Sequence, residues 1–257
     1  MTWSQHLIPA VLTIVLWWGS TGLIARLVGR APSTYRNLLR LSSLIGLAGL
    51  ATLFVLRDVT TQSSALLSLV AALSVWGWIE VTFLTGKVTG PAVARPVTDA
   101  ALLTRAGAAF TAILWHELLI AVTVMAVAAM LIGRANDLAL LVMLLLWLMR
   151  SSAKLNLFLG VRNLGEAFLP SHLHHLLDFM RQRRMNPLLP LSILLGLTIA
   201  GWFGMNALTA ETVYVAAASS ILAILALLAA FEHLLMVLPL PAEALWRWSL
   251  SNRRTST

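Results

Sequence analysis

The sequence contains no cysteine, which excludes disulfide bonds, thiolate metal sites and catalytic thiols. Charged side chains are also scarce. They make up 11% of the chain, whereas a typical soluble domain carries about 25%. Hydrophobic residues make up 59% of the 257 residues. A chain with so few charges and so much apolar surface is predicted to be an integral membrane protein.

Acidic residues are few, with 10 against 18 lysines and arginines, so the net charge is +8. The basic residues occupy short loops between apolar runs. We therefore interpret them as charges that set membrane topology, and we predict no nucleic-acid partner. The start of the chain, MTWSQH, has neither a basic n-region nor a cleavage site, so the first apolar run is expected to remain in the mature protein.

Seven apolar runs are long enough to cross a bilayer, which takes about 20 residues in a helix. They are predicted at residues 7–28, 38–56, 64–85, 106–132, 138–160, 189–208 and 213–237. No internal repeat and no change in composition marks a second domain. The predicted fold class is all-α: one polytopic helical membrane bundle over residues 1–257, with short amphipathic helices at its interface.

The loops between these runs differ sharply in basic residues. The side that holds the N-terminus collects only Arg57 and Arg134. The other side collects fourteen: Arg26, Arg30, Arg36, Arg40, Lys87, Arg95, Arg105, Arg162, Arg181, Arg183, Arg184, Arg247, Arg253 and Arg254. The positive-inside rule therefore predicts an N-terminus outside the cytoplasm and a C-terminus inside it.

Two segments between or after the spans are predicted to be interfacial, and a third to form a surface helix. A short surface helix is expected after Pro96. Residues 170–184, PSHLHHLLDFMRQRR, are predicted to form an amphipathic helix with its apolar face at Leu173, Leu176, Leu177 and Met180. The tail LPLPAEALWRWSLSNRR is predicted to anchor at the interface through Leu245, Trp246 and Trp248.

Four of the spans carry polar groups at similar depths in the predicted cytoplasmic half of the bilayer, about 6 to 16 Å from its edge at 1.5 Å per residue. These groups form a candidate intramembrane polar cluster: Glu80, His116, Glu117, Arg150, Lys154, Asn156, Glu232 and His233. An ionisable group at the bilayer centre costs about 2.5–3.5 kcal/mol on insertion scales, so such groups need partners. The cluster is expected either to hold the bundle together by ion pairs or to bind a ligand.

Two kinds of ligand fit these residue types. A transition metal could use His116, Glu117, Glu232 and His233. However, bundle metal sites use Glu-x-x-His spacing, whereas these pairs are adjacent and point about 100° apart on a helix. Alternatively, a histidine within a span could ligate the magnesium of a chlorin. Both interpretations remain open on the sequence alone, with the pigment preferred to the metal.

Several segments resemble the photosynthetic complex assembly protein 2 family, whose members are membrane proteins of anoxygenic phototrophic bacteria encoded near the reaction-centre H subunit. The segments are SAKLNLFLGVRN (152–163), RRMNPLLPLS (183–192), FLTGKVTGP (83–91), EHLLMVLPLPAEALWRWSL (232–250), WWGSTGL (17–23) and WHEL (115–118). The resemblance implies a role in assembling the reaction centre and its light-harvesting core. It also implies residence in the bacterial inner, photosynthetic intracytoplasmic membrane. One position departs from the family pattern: Ile79 stands in WGWIE where a histidine is expected.

The function predicted from these observations is a non-catalytic assembly or accessory factor for the reaction centre–light-harvesting complex. It would contact the lipid bilayer, photosynthetic subunits or pigment-synthesis enzymes, and could handle bacteriochlorophyll or its intermediates. The alternative is a metal-dependent membrane enzyme, an oxidoreductase or hydrolase acting on a tetrapyrrole or a lipid. A transporter ranks last because the outer half of the fifth span, LALLVMLLLW, offers no polar path.

Overall fold

The computed structural model describes residues 3–93, 101–240 and 242–250, and within them it is all-α. The helices are α1 (Ser4–Val28), α2 (Tyr35–Leu56), α3 (Gln62–Leu84), α4 (Leu102–Ala112), α5 (Leu114–Leu131), α6 (Leu138–Leu159), α7 (Leu188–Leu208), α8 (Val213–Leu235) and α9 (Arg247–Leu250). Seven of the helices in these ranges are long and apolar enough to cross a membrane, namely α1, α2 with the turn before it, α3, α5, α6, α7 and α8. The predicted fold class is confirmed.

The fourth predicted span, residues 106–132, is wrong as a single helix. The structure divides it into α4 and α5, with a break at Ile113. The cause is a segment far back in the chain, since the backbone N–H of His116 donates to the carbonyl of Thr89 at 2.9 Å. Gly90 permits this approach, because a Cβ there would overlap the backbone of Thr111 and Ala112. His116 therefore lies in the first turn of α5, rather than deep within a longer span.

The centre of the bundle is formed by α3 and α8, which are the most buried of the spanning helices. The two most closely packed helix pairs are the hairpins α2 with α3 and α7 with α8, and α1 and α6 each contact both central helices. Ile79 on α3 is fully buried in this apolar core. The side chain at this position of the WGWIE motif therefore packs in the apolar core and is not a ligand-binding group.

Close approach of α2 to α3 depends on Gly49. A Cβ at this position would come within 2.9 Å of the backbone carbonyl oxygen of Ala71, which cannot move aside as a side chain could. Gly49→Ala is therefore expected to lower the free energy of unfolding by about 1–2 kcal/mol, as overpacking typically does. Titration of the purified protein with a denaturing detergent measures the change.

Gly201 on α7 is the matched control, because nothing lies within 4 Å of a Cβ built there. Gly201→Ala is expected to be neutral or to stabilise the protein by up to about 1 kcal/mol, the difference in helix propensity. Equal effects at the two glycines would contradict a packing role for Gly49.

The segment predicted as an amphipathic helix at 170–184 is a 3₁₀ helix over Ser171–Phe179. With about three residues per turn, its buried face consists of Leu173, Leu176 and Phe179. The predicted α-helical spacing is wrong, and Leu177 and Met180, which were predicted on the same face, are only partly buried. The buried face packs on Phe83 and Ala112, so this segment covers one end of the bundle.

The C-terminal tail packs against α1 along part of its length. Trp246 is buried, and its indole N–H donates to the carbonyl of Trp18 at 3.0 Å. Trp18 in turn donates to the carbonyl of Leu245 at 2.9 Å. Leu245 and Trp248 are exposed, as an interfacial anchor requires. Trp246 was predicted to be part of the same anchor, but it is buried. The short surface helix predicted after Pro96 begins outside the described residues, and α4 starts at Leu102.

Candidate functional site

Helix α6 connects the polar groups of four other helices. Arg150 and Lys154 are four residues apart and share one face of the helix. Ser152 and Asn156 are also four residues apart, but they lie about 200° around the helix from the first pair, at 100° per residue. The structure therefore divides the predicted cluster into a charged group on one side of α6 and a neutral hydrogen-bonded group on the other.

The charged group consists of two ion pairs. Nη2 of Arg150 lies 3.2 Å from Oε2 of Glu80 on α3. Nζ of Lys154 pairs with Oε1 of Glu117 on α5, and the indole N–H of Trp147 donates to the other oxygen of Glu117 at 3.4 Å. Each basic residue of α6 is thus matched by an acid from a different helix.

The neutral group joins α6 to α7 and α8. Ser192 on α7 lies 2.8 Å from the hydroxyl of Ser152, and it accepts from the amide of Asn156 at 2.9 Å. Nδ1 of His233 lies 2.8 Å from the carbonyl of Ala229, which can only accept, so this nitrogen carries the proton. Nε2 of His233 is then an acceptor, 3.0 Å from the Ser152 hydroxyl. Both ring nitrogens of His233 are occupied.

A cavity of about 460 Å³ opens beside the charged group. Helices α1, α3, α6 and α8 form most of its wall, and the 3₁₀ segment over Ser171–Phe179 contributes Leu176 and Phe179. The wall is largely apolar, but four charged side chains reach it: Glu80, Arg150, Lys154 and Glu232. Half of the predicted cluster therefore lines one cavity, which sequence analysis did not foresee.

The remaining predicted residues are not part of the cavity wall: His116, Glu117, Asn156 and His233. His116 is buried and stacks on Phe83, a wall residue, with ring centroids 4.3 Å apart. Neither ring nitrogen of His116 has a hydrogen-bond partner within the described ranges. No three His, Asp or Glu side chains converge as a metal site in residues 3–93, 101–240 and 242–250. The geometry thus adds no support to the metal interpretation.

Several residues of the site were missed from the sequence. Ser152 and Ser192 connect Asn156 to His233, and buried Asn186 donates to the carbonyls of Asn156 and Gly160 at 3.2 and 2.9 Å. A signal was present, because Ser152 lies four residues before Asn156 and shares its helix face. Asn186 and Ser192 both fall in RRMNPLLPLS, one of the stretches that carried the resemblance.

Comparison with known proteins shows the family to which this chain belongs. A family described as "Protein of unknown function (DUF3623)" matches residues 3–257. The chain belongs to this family. A Rhodobacter capsulatus protein named "Uncharacterized 30.4 kDa protein in puhA 5'region" is 36% identical over 247 residues, covering 94% of this chain and 89% of the relative. No solved structure matches this DUF3623 chain.

Proposed function

We propose that this chain is a membrane-embedded accessory factor for assembly of the bacterial photosynthetic reaction centre and its light-harvesting complex. We further propose that its intramembrane cavity holds bacteriochlorophyll or a biosynthetic intermediate of it. The puhA-region location of the R. capsulatus relative supports a photosynthetic role. The single observation that supports a bound ligand is the cavity.

The size and lining of the cavity suit an amphiphilic ligand. Its volume of about 460 Å³ lies within the range of about 300–1,000 Å³ that ligand sites occupy. Aromatic and aliphatic side chains such as Trp76, Phe158 and Leu225 provide apolar walls for a flat macrocycle. The charged side chains of the wall could then fix the orientation of its polar substituents.

Arg150 is the group best suited to recognise such a substituent. Its guanidinium has five N–H donors, and within the described ranges only Nη2 has a hydrogen-bond partner, on Glu80. A chlorin whose propionate is not yet esterified carries a free carboxylate, which a guanidinium can bind with two parallel hydrogen bonds. His116 lies behind Phe83. We therefore propose that an unesterified intermediate is recognised through this carboxylate, rather than through an imidazole on magnesium.

The proposed orientation gives this cavity a place in pigment delivery. With the N-terminus periplasmic and the C-terminus cytoplasmic, the charged side chains would lie in the cytoplasmic half of the photosynthetic membrane. Pigment-synthesis enzymes or photosynthetic subunits could then exchange ligand with the cavity from that side. The lipid bilayer would surround the remaining faces of the bundle.

Filling the cavity tests the ligand directly. Ala229 lines the wall on α8, so Ala229→Phe should occupy the space of the macrocycle. The wild-type protein, purified in mild detergent from pigment-producing cells, is expected to carry a chlorin absorption band. Ala229→Phe should lose at least tenfold of this band per mole of protein, because overpacking excludes the ligand.

Leu227→Phe is the matched control, since Leu227 lies two residues away on the same helix and is exposed on the outer surface. This variant should keep the wild-type chlorin content, and circular dichroism should show equal helicity in all three proteins. A wild-type protein without chlorin would refute the pigment proposal. So would a well-folded Ala229→Phe variant with full chlorin content.

A further inference from the structure

The backbone just beyond α6 is held in a fixed position. Val161 pairs with the segment around Gln182 as an isolated parallel bridge, with hydrogen bonds of 3.1 and 2.9 Å to the backbones of Arg181 and Arg183. On its other side, the backbone N–H of Arg162 donates to the carbonyl of Met236 at 3.0 Å. The backbone of Arg162 is therefore fixed beside the arginine-rich segment at residues 181–184.

These stretches form a basic concavity. Arg162, Gln182, Arg183 and Arg184 line a depression of about 250 Å³, distinct from the cavity inside the bundle. Gly160, with φ of +120°, lies directly under the aliphatic part of Arg183. A Cβ at Gly160 would come within 2.8 Å of Cδ of Arg183, so this glycine makes room for the arginine side chain.

Several arginines lie close together in and beside this concavity. In residues 3–93, 101–240 and 242–250, no salt bridge involves any of five arginines: Arg105, Arg162, Arg181, Arg183 and Arg184. Arg105 is buried and lies over the ring of Phe158, 5.2 Å from its centroid. Burial, with the charges of Arg181 and Arg183, lowers the pKa of Arg105 below its usual value. An anion bound here would relieve this repulsion.

The position of the concavity matches the level of lipid headgroups. Arg162 follows the end of α6 at Leu159 by three residues, and Arg184 precedes the start of α7 at Leu188 by four. A site at the ends of two spanning helices lies at the boundary between hydrocarbon and water. Basic pockets at this level suit the phosphates of anionic lipids.

We propose that Arg162, Arg183 and Arg184 form a binding site for a phosphate group, supplied by the headgroup of an anionic phospholipid. Guanidinium groups bind phosphate oxygens through paired hydrogen bonds, so three arginines around one depression can enclose a single phosphate. Gln182 adds a neutral donor at the same rim. This site is separate from the proposed pigment cavity and does not depend on it.

A lipid titration tests the site. Detergent-purified full-length protein is titrated with phosphatidylglycerol, phosphatidylcholine or inorganic phosphate, and bound ligand is measured by native mass spectrometry. The triple variant Arg162→Gln/Arg183→Gln/Arg184→Gln should bind phosphatidylglycerol at least tenfold more weakly than wild type, because each basic residue contributes to attraction of anionic lipid. Arg30→Gln/Arg36→Gln/Arg40→Gln is the matched control, since it removes three exposed arginines elsewhere.

A single substitution provides a second test that does not remove any arginine. Gln182→Glu places a carboxylate within the concavity and should weaken phosphatidylglycerol binding, whereas Gln182→Met should change it less than twofold. Inorganic phosphate should compete only weakly with phosphatidylglycerol. Inorganic phosphate that binds wild type as tightly as the lipid, and is lost in the triple variant, would overturn the lipid as the source and assign free phosphate to the site. Equal phosphatidylglycerol binding by wild type and the triple variant would overturn the proposal. So would equal losses in the triple variant and its control.

Discussion

Replacing Lys154 with methionine is expected to lower the free energy of unfolding by about 2–4 kcal/mol. Removing one partner of a fully buried ion pair costs about 3–5 kcal/mol, and this pair is only partly buried, with side chains 24% and 13% exposed. The substitution leaves the carboxylate of Glu117 inside the bundle with only the indole of Trp147 as a described partner. Unfolding of the purified protein by titration with a denaturing detergent, followed by circular dichroism, measures the loss.

The double variant Lys154→Met/Glu117→Gln should recover most of this loss, because neither charge then remains unpaired. The control is Arg134→Met, which breaks a pair with Asp58 whose side chains are 45% and 55% exposed. An exposed pair of this kind contributes at most about 1 kcal/mol. Equal destabilisation by Lys154→Met and Arg134→Met would contradict the prediction that the less exposed pair contributes more to stability.

Asn136→Leu should reduce the free energy of unfolding by about 3 kcal/mol. Asn136 lies in the turn before α6 and is 2% exposed. Its amide donates to the carbonyls of Leu56 and Val59 at 3.1 Å, and its Oδ1 accepts from the hydroxyl of Tyr214 at 2.9 Å. Leucine would remove the hydrogen-bond partner of the Tyr214 hydroxyl and that of the Ser68 hydroxyl, which lies 3.1 Å from the amide of Asn136. Each unsatisfied buried group costs about 1–3 kcal/mol.

The same detergent titration measures this change, and Asn37→Leu serves as its control because Asn37 is exposed near the start of α2. Asn37→Leu should alter the free energy of unfolding by no more than about 0.5 kcal/mol. A change at Asn136 as small as the one at Asn37 would show that the turn does not depend on these hydrogen bonds.

Hydropathy and length predicted most of the fold, because a helix that crosses a bilayer must be apolar over a fixed number of residues. This requirement is local, so the bounds of α1, α6 and α8 could be read to within a few residues. It failed at α4 and α5, where the helix ends because a backbone donor of His116 bonds to Thr89, a distant part of the chain. Hydropathy carries no information on such a long-range hydrogen bond.

The candidate site was predictable in composition but not in arrangement. Depth along each span could be counted, and the eight polar residues of four helices were found in this way. Their partners depend on how each helix is rotated and which helices are neighbours, and both are set by packing across the whole bundle. The adjacent residues Glu232 and His233, for example, face different surroundings because neighbours on a helix point about 100° apart.

By itself, the sequence therefore determined an all-α membrane bundle of seven spans. It also determined that several spans carry polar groups at a similar depth, among them Arg150, Lys154 and Asn156 on one helix. Only the tertiary structure decided that Arg150 and Lys154 pair with acids beside a cavity, whereas Asn156 joins a neutral network. The physical reason is that the free energy of burying a side chain depends on its residue type, which can be read from the sequence. Pairing depends on distance between side chains, and only the packed helices fix that distance.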